Sequence, residues 1–531
     1  MATTNTGLYT AKILAEGKMK PYKSMAGKLQ QPLLLALEKK GYNFMTPVQE
    51  KVLTELPNFA ADCLVQAKTG TGKTIAFLLP ALQTLLVSKV PLRKGVRILI
   101  ISPTRELALQ IKEECDVITS ELRPRIQCHT AFGGTRKEKH LKDFVEGTPT
   151  VLVATPGRLN DYLSDDYIAE RFSGLQTLVL DEADRMLDAG FLPAINQILG
   201  RLPPKSTGWQ GMCFSATIPG SIKSVLSKVL KPGYTRLSTV DPDDIPTIEQ
   251  VTQYFIVIPN VSETFASLHA LIEQERRQSP ENFKAIVFGT TANQVALLYD
   301  LYQNLPNQVL KVYELHSRLT QNSRTRTTEE FKKTSSGLMF ASDVIGRGMD
   351  FQGVGVVIQV GLPSNGEQYV HRVGRTARAG NEGRAVLLLT DREKYFLAVN
   401  KQLPIQPYPI DISASAAQAV PIVNEGLNGI GDQAKSKAYQ AFLGFHKTYM
   451  KQLRLDAMGL VAMANEYAAA LGCPETPMID KQVVGKMGLR GTKGLNVGVV
   501  ARESSSKRPS TKPNAGGIGK RQRQHQVSKS Q

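Results

Sequence analysis

Residues 66–77 read QAKTGTGKTIAF, and the spacing Ala67-x-x-x-x-Gly72-Lys73-Thr74 is that of a phosphate-binding loop, with alanine at its first position. Gly70 and Gly72 would let backbone N–H groups close on phosphate, and a helix beginning near Thr74 would add its positive end. Lys68, Thr69 and Thr71 complete the loop. Lys73 can reach the β- and γ-phosphates of a nucleoside triphosphate, and the Thr74 hydroxyl can ligate Mg²⁺.

A site that hydrolyses such a nucleotide also needs a metal carboxylate and a group that activates water. The stretch TLVLDEAD, residues 177–184, supplies both at the end of an apolar run. Asp181 would hold the Mg²⁺, largely through water, and Glu182 would orient and deprotonate the attacking water. The plainer alternative is an acidic helix start, favoured by the helix dipole. Two context-matched motifs in one chain argue against it.

These groups act only if a scaffold holds them. From about 60 to 400, short runs such as CLVQA, RILIIS, TVLVAT, TLVLDEAD and GMCFSAT alternate with helix-length amphipathic stretches. The pattern resumes with KAIVFGT, GLMFASD, GVVIQV and RAVLLLT. Such Val/Ile/Leu runs, with little polar alternation, are those of buried parallel strands. The expected fold class is α/β: two tandem doubly wound parallel-sheet domains, with ligands at the carboxyl ends of the strands. The boundaries expected are a flexible leader at 1–21, a first domain at 22–237, a linker at 238–250 and a second domain at 251–405. The linker carries STVDPDDIPTIEQ, acidic and proline-bearing. A small all-helical extension is expected at 425–500, without strand signal. Tyr439, Phe442, Leu443, His446, Met450 and Leu453 fall at the spacing of one helix. Asp456 would cap a second helix carrying Leu460, Met463, Tyr467 and Leu471, ended by Gly472 and Pro474. Residues 501–531 read as a disordered basic tail.

With 531 residues and a net charge of +18, the chain calls for a polyanionic partner, nucleic acid or an anionic membrane. No apolar run approaches the ~18 residues of a membrane span, and no basic amphipathic helix with a broad apolar face is evident. Five scattered cysteines, without a Cys-x-x-Cys pair, read as reduced thiols in an intracellular protein. The histidines do not cluster with them, so no zinc site is expected. In the first ~30 residues Glu16 is the only acid, and lysine occurs without arginine. That matches either a mitochondrial transit peptide or a plain flexible leader.

With AKTGTGKT and DEAD in this order, the chain resembles the DEAD-box ATP-dependent RNA helicases, from about Tyr22 to Leu403. PTRELALQ (103–110), GG (133–134) and TPGRL (155–159) resemble that family's RNA-contacting motifs. SAT (215–217) resembles the coupling motif, SDVIGRGMD (342–350) and HRVGRTAR (371–378) the motifs of the second RecA-like domain, and GYNFMTPVQ (41–49) the adenine-reading motif. The resemblance implies an ATP- and Mg²⁺-dependent enzyme in which ATP and RNA close the two domains, locally separating a short RNA duplex, and hydrolysis reopens them. Gln49 would read adenine in a bidentate pair. Arg375 and Arg378, three apart and on one side if helical, would act as arginine fingers on the γ-phosphate. Asp350 would contact ribose, His371 and Arg372 would bridge to the first domain, and Ser215 and Thr217 would couple hydrolysis to strand separation. The resemblance also implies RNA-phosphate contacts. Gly133, Gly134, Gly157 and Gly289 would offer backbone N–H groups without an intervening Cβ. Arg105, Arg158, Arg318 and Arg324 would add charge, and Thr155 and Ser342 lie in the same motifs. Backbone contact gives little sequence preference.

The pattern departs from the family in places. Counting back 17 residues from Gly41, where an aromatic stacker is usual, gives Ser24, with Tyr22 the nearest aromatic; Ser342 stands where threonine is common. The extension and basic tail resemble a fungal mitochondrial subgroup of RNA chaperones that help introns splice and messages be translated. Apart from that subgroup, cytoplasm or nucleus would serve equally. A monomeric motor on RNA is expected, with no DNA or membrane partner. The alternative is a slowly cycling ATP-dependent RNA clamp serving as an assembly platform.

Overall fold

The structure is a computed structural model. It describes residues 19–67, 70–88, 95–134, 137–147, 149–186, 191–218, 223–240, 251–343, 351–377 and 383–498. Expectations for most of the leader, most of the linker and the basic tail lie outside these residues.

Fourteen strands form two seven-stranded sheets. The first holds β1 (Cys63–Gln66), β2 (Ile98–Ile101), β3 (Cys128–Ala131), β4 (Val151–Ala154), β5 (Thr177–Asp181), β6 (Gln210–Ser215) and β7 (Thr235–Ser238). The second holds β8 (Val251–Ile258), β9 (Lys284–Phe288), β10 (Val312–Leu315), β11 (Gly337–Ala341), β12 (Val356–Val360), β13 (Gly383–Thr390) and β14 (Ile405–Pro407). The strand orders are β3-β4-β2-β5-β6-β1-β7 and β10-β11-β9-β12-β13-β8-β14, the same permutation read twice. Every pairing in both sheets is parallel. The two tandem doubly wound units expected from the sequence are therefore present, and each order reverses beside its first strand, where such sheets bind ligands. β2, β4 and β5 are buried throughout, because helices cover both sheet faces.

The helices that matter for function are, in chain order, α1 (Pro47–Glu55), α2 (Lys73–Val87), α3 (Arg105–Ile118), α4 (Pro156–Leu163), α5 (Thr264–Gln278), α6 (Ala292–Gln303), α7 (Gln321–Lys333), α8 (Gly366–Val373), α9 (Ser413–Asn428), α10 (Asp432–Lys447) and α11 (Ala457–Ala470). No helix among the described residues is long and apolar enough to cross a membrane.

The extension differs from expectation in three ways. It starts earlier, with α9 at Ser413. Helix α10 stops at Lys447, so Met450 and Leu453 lie in the turns beyond it, although Leu453 is still buried. It also contains a short parallel strand pair, β15 (Ile479–Asp480) and β16 (Val497–Gly498), too brief to leave a period-2 signal. Asp456 does cap α11, accepting from the Gly459 N–H at 2.7 Å, and Gly472 follows with φ +69°. The extension shares one apolar core with the second sheet. Phe442 stacks on Tyr467 at 4.3 Å, and Tyr467 meets Phe265 of α5 at 5.7 Å. Burying each such ring contributes about 1.5–3 kcal/mol, so the extension is built onto the second unit rather than hung from it.

Candidate functional site

β1 delivers the chain into the phosphate loop. Ala67 is buried and its N–H continues the sheet to the Ser215 carbonyl at 3.0 Å. Gly70 and Gly72 take φ of +77° and +90°, and α2 starts at Lys73. Lys73 is buried, with Nζ 3.2 Å from the Ala67 carbonyl across the loop. Thr74 sits in the first helical turn, where early N–H groups have no partner within the helix. Thr71 is half-buried in the same loop; Lys68 and Thr69 lie outside the described residues.

Gln49 is placed differently from its sequence reading. It is buried, Oε1 accepts from the Tyr22 hydroxyl at 2.6 Å and from the Thr46 N–H at 2.8 Å, and Nε2 donates to the Gly72 carbonyl at 3.1 Å. Both Oε1 lone pairs are engaged, so a bidentate adenine pair would require Gln49 to release Tyr22 or Thr46. In this arrangement the amide braces the loop. Tyr22 is itself buried and holds that amide by its hydroxyl, so it offers no open ring face for stacking. A Cβ on Gly72 would fall 2.4 Å from Gln49 Nε2, at a φ that side chains rarely adopt. Gly72→Ala should therefore weaken ATP binding about 5- to 30-fold, from a left-handed penalty of about 1–2 kcal/mol, and more where Gln49 is displaced. Equilibrium titration with a fluorescent ATP analogue measures this; unchanged affinity would mean the loop tolerates the side chain.

At the end of β5, Asp181 and Glu182 are both buried, with Asp184 two residues on. The Glu182 N–H donates to Asp181 Oδ1 at 3.1 Å, and Glu182 has φ +53°, uncommon for a residue with a Cβ. Burial pushes the Asp181 carboxyl up to about 7; Lys73 opposes this, while Glu182 and Asp184 add to it. Three buried acids beside one lysine make a cradle with surplus negative charge, which suits a divalent cation. No group of side chains among the described residues forms a self-sufficient metal cage. Magnesium in phosphoryl-transfer sites typically takes one or two protein ligands plus substrate phosphates, and Asp181 with Thr74 fits that pattern.

A short polar relay leaves this cradle. The Ser215 hydroxyl donates to the Thr217 carbonyl at 2.6 Å and accepts from the Asp184 N–H at 3.2 Å. The Thr217 hydroxyl donates to Asp184 Oδ2 at 3.0 Å. From the second unit, His371 Nε2 stands 3.9 Å from the same Asp184 oxygen, and Arg185 Nη2 donates to the Asp343 carbonyl at 3.2 Å. Asp184, the last residue of the DEAD motif, has no role evident from sequence, yet it joins Ser215, Thr217 and His371. Its partners lie 31 or more residues away, so only the fold reveals them.

On the second unit, Arg375 is buried and Nε donates to the His371 carbonyl at 3.1 Å. Helix α8 ends at Val373, so Arg375 sits in the turn beyond it and the expected helical face is not formed at this residue. Arg378 and Asp350 lie outside the described residues. Arg372 stays within its own unit: it is buried, pairs with Asp343 at 2.7 Å, meets Gln359 at 3.5 Å and lies over the Phe288 ring. The approach to the first unit falls to His371 alone of the expected pair.

The expected RNA contacts divide. Gly134 has φ +86°, and the Arg105 guanidinium packs where its Cβ would stand, while at Gly133 a Cβ would only touch it. The Thr155 N–H is bonded to the Ala131 carbonyl at 2.9 Å, while Gly157 lies in the open first turn of α4. Arg318 is exposed. Ser342 is largely buried, with its N–H bonded to the Leu315 carbonyl. Three residues are placed against expectation. The Gly289 N–H donates to the Ala341 carbonyl at 3.0 Å, extending the sheet, so it is not presented to phosphate. Arg158 is buried beside Asp161 at 3.6 Å. Arg324 is buried in a 2.6 Å ion pair with Glu106 of α3, joined by the Gln321 amide at 3.2 Å, so it links the two units.

Residues 46–225 match the DEAD/DEAH box helicase family, and residues 263–380 match the helicase conserved C-terminal domain. Over 479 residues the chain is 57% identical to the ATP-dependent RNA helicase MSS116, mitochondrial, of Phaeosphaeria nodorum, which covers 90% of this chain and 87% of that protein. It is 56% identical to the protein of the same name from Aspergillus oryzae, over 90% of this chain and 76% of that one. Among solved structures it is similar to Mss116p, lacking its NTE and C-tail, bound to ssRNA and AMP-PNP. There the TM-score is 0.78 and the identity 28%, over 91% of this chain and 98% of the other.

Proposed function

Because the chain belongs to the DEAD-box ATP-dependent RNA helicases, we propose that ATP hydrolysis between its two sheets drives cycles of closure on RNA, and that the residues gathered there divide the work as follows. Lys73 and the loop N–H groups hold the β- and γ-phosphates, and Gly72 is kept in place by Gln49. A divalent cation held by Asp181 and Thr74 would neutralise phosphate charge. Glu182 orients and deprotonates the attacking water. Arg375, together with Arg378, stabilises the charge that develops on the transferred phosphoryl group. The motor units are taken as 22–237 and 251–405.

The observation that carries this reading is the relay from Ser215 and Thr217 through Asp184 to His371. It starts beside the water-activating acid and reaches the second unit, so the state of the nucleotide and the relative placement of the units can bias each other. Closure would bend one RNA strand and separate a short duplex; hydrolysis would reset the enzyme. Steady-state ATPase measured with and without single-stranded RNA tests this. RNA should stimulate turnover, and a short duplex should separate only with hydrolysable or transition-state nucleotide. Turnover indifferent to RNA would favour the slowly cycling clamp.

The two MSS116 relatives carry "mitochondrial" in their names, which supports mitochondrial RNA as the substrate pool, including introns and messages. The tail adds reach. Residues 501–531 contain eight basic side chains against the one acid Glu503. If about four of them meet phosphates of a single strand, each releasing roughly 0.7 counterion, the log–log salt slope gains about −3. Stopping the chain after Val500 should leave the RNA-saturated ATPase unchanged, raise the RNA needed to saturate it, and shrink the slope by about 3. A slope identical in both proteins would remove the tether.

A further inference from the structure

One pocket of the first unit lies away from the nucleotide loop. It measures about 600 Å³ and is lined by Lys112, Asp116, Arg123, Arg125 and His129, with the loop that leads into β3. β3 is the edge strand of the first sheet, so the pocket is a groove open along that edge. Four basic or potentially basic side chains line it against one acid, Asp116, which is bonded to Lys112. Arg123 and Arg125 are exposed. Arg123 Nη1 donates to the Ser120 and Leu122 carbonyls, which holds its guanidinium at the groove wall, whereas Arg125 makes no hydrogen bond among the described residues.

The groove shares helix α3 and strand β3 with Arg105, Gly133 and Gly134, which are expected to contact RNA. Arg105 and Lys112 lie seven residues apart on α3, hence on one face and about 10 Å apart along the helix. Arg105 packs on Gly134, just past the carboxyl end of β3, and Lys112 lines the groove near the other end of that strand. The strand has four residues, about 13 Å of chain, the length of about four stacked nucleotides. No phenylalanine, tyrosine or tryptophan lines the groove, and its charge suits a phosphodiester backbone read without sequence preference.

We propose that this edge groove is a track for the RNA strand beyond the closing site, with Arg125, Arg123 and Lys112 meeting phosphates that the nucleotide-gated surface does not reach. The proposal rests on the reading of Arg105, Gly133 and Gly134 as RNA contacts. It gives the motor a hold on flanking RNA that does not depend on the nucleotide.

The test uses the full chain and two single-stranded RNAs, one of about 10 nucleotides, within the range that one site covers, and one about 10 nucleotides longer. Arg123→Glu with Arg125→Glu should leave binding of the short RNA and the RNA-saturated ATPase at parent values. For the longer RNA the log–log salt slope should shrink by about 1.4, two contacts at roughly 0.7 each. Arg125→Ala, which disturbs no internal bond, should give about half of that change. Loss of short-RNA binding in the parent protein itself would overturn the reading of the clamp. Parent-like binding of both RNAs by the variants would overturn the track alone. Parent-like binding of both RNAs, together with loss of a poly-aspartate peptide that the parent binds, would assign the groove to an acidic protein instead.

Discussion

Glu182→Gln is expected to lower RNA-stimulated ATP turnover about 10²- to 10⁴-fold, the range for removal of a positioned general base, while ATP and RNA still bind. The amide is nearly isosteric and fills the same buried space after β5. It cannot take a proton from water. Asp181, whose Oδ1 accepts from the N–H of residue 182, remains in place because that bond is made by the backbone. The variant should therefore accumulate in the ATP-bound, RNA-bound state. Single-turnover hydrolysis and RNA binding with ATP check both halves. Hydrolysis at the parent rate would remove Glu182 from the base role, and loss of ATP binding would show that it holds the nucleotide instead.

The phosphate loop and the acid pair were legible because their chemistry is local. Gly70, Gly72, Lys73 and Thr74 lie within five residues, and Asp181 and Glu182 are adjacent, so strand, turn and helix place them with little help from elsewhere. The sheets were legible for a related reason: strands covered on both faces leave unbroken apolar runs. What the sequence withheld depends on distant partners. Gln49 looked like an adenine reader, yet its oxygen is occupied by Tyr22 and Thr46. Arg324 carries the charge of a phosphate ligand but meets Glu106, more than 200 residues away. Gly289 has the small size that close approach to a backbone requires, but its N–H continues the ladder to Ala341. In each case residue type fixed the capability and topology chose the partner. The extension shows the same limit. Its aromatic positions were read correctly on α10 and α11, while α9 and the β15–β16 pair carry too weak a pattern to be separated from a loop.

Arg375→Ala should cost 10³-fold or more in turnover, comparable with the loss of other arginine fingers and equivalent to about 4 kcal/mol of transition-state stabilisation. RNA affinity without nucleotide should barely move. The side chain is buried in the turn after α8, with Nε tied to the His371 carbonyl. This bond fixes the guanidinium stem next to the residue that approaches Asp184 from the second unit. The alanine variant thus removes the charge and also loosens the end of the relay, and a second substitution separates the two effects. Arg375→Lys keeps a positive charge but lacks the planar fork and the Nε donor. If the role is charge alone, lysine should recover much of the rate. If the geometry held by Nε matters as much, lysine should stay close to alanine, and ATP hydrolysis should lose its dependence on RNA in both variants. Loss of RNA binding in the nucleotide-free protein, with ATPase intact, would make Arg375 an RNA ligand and leave the phosphoryl group without this finger.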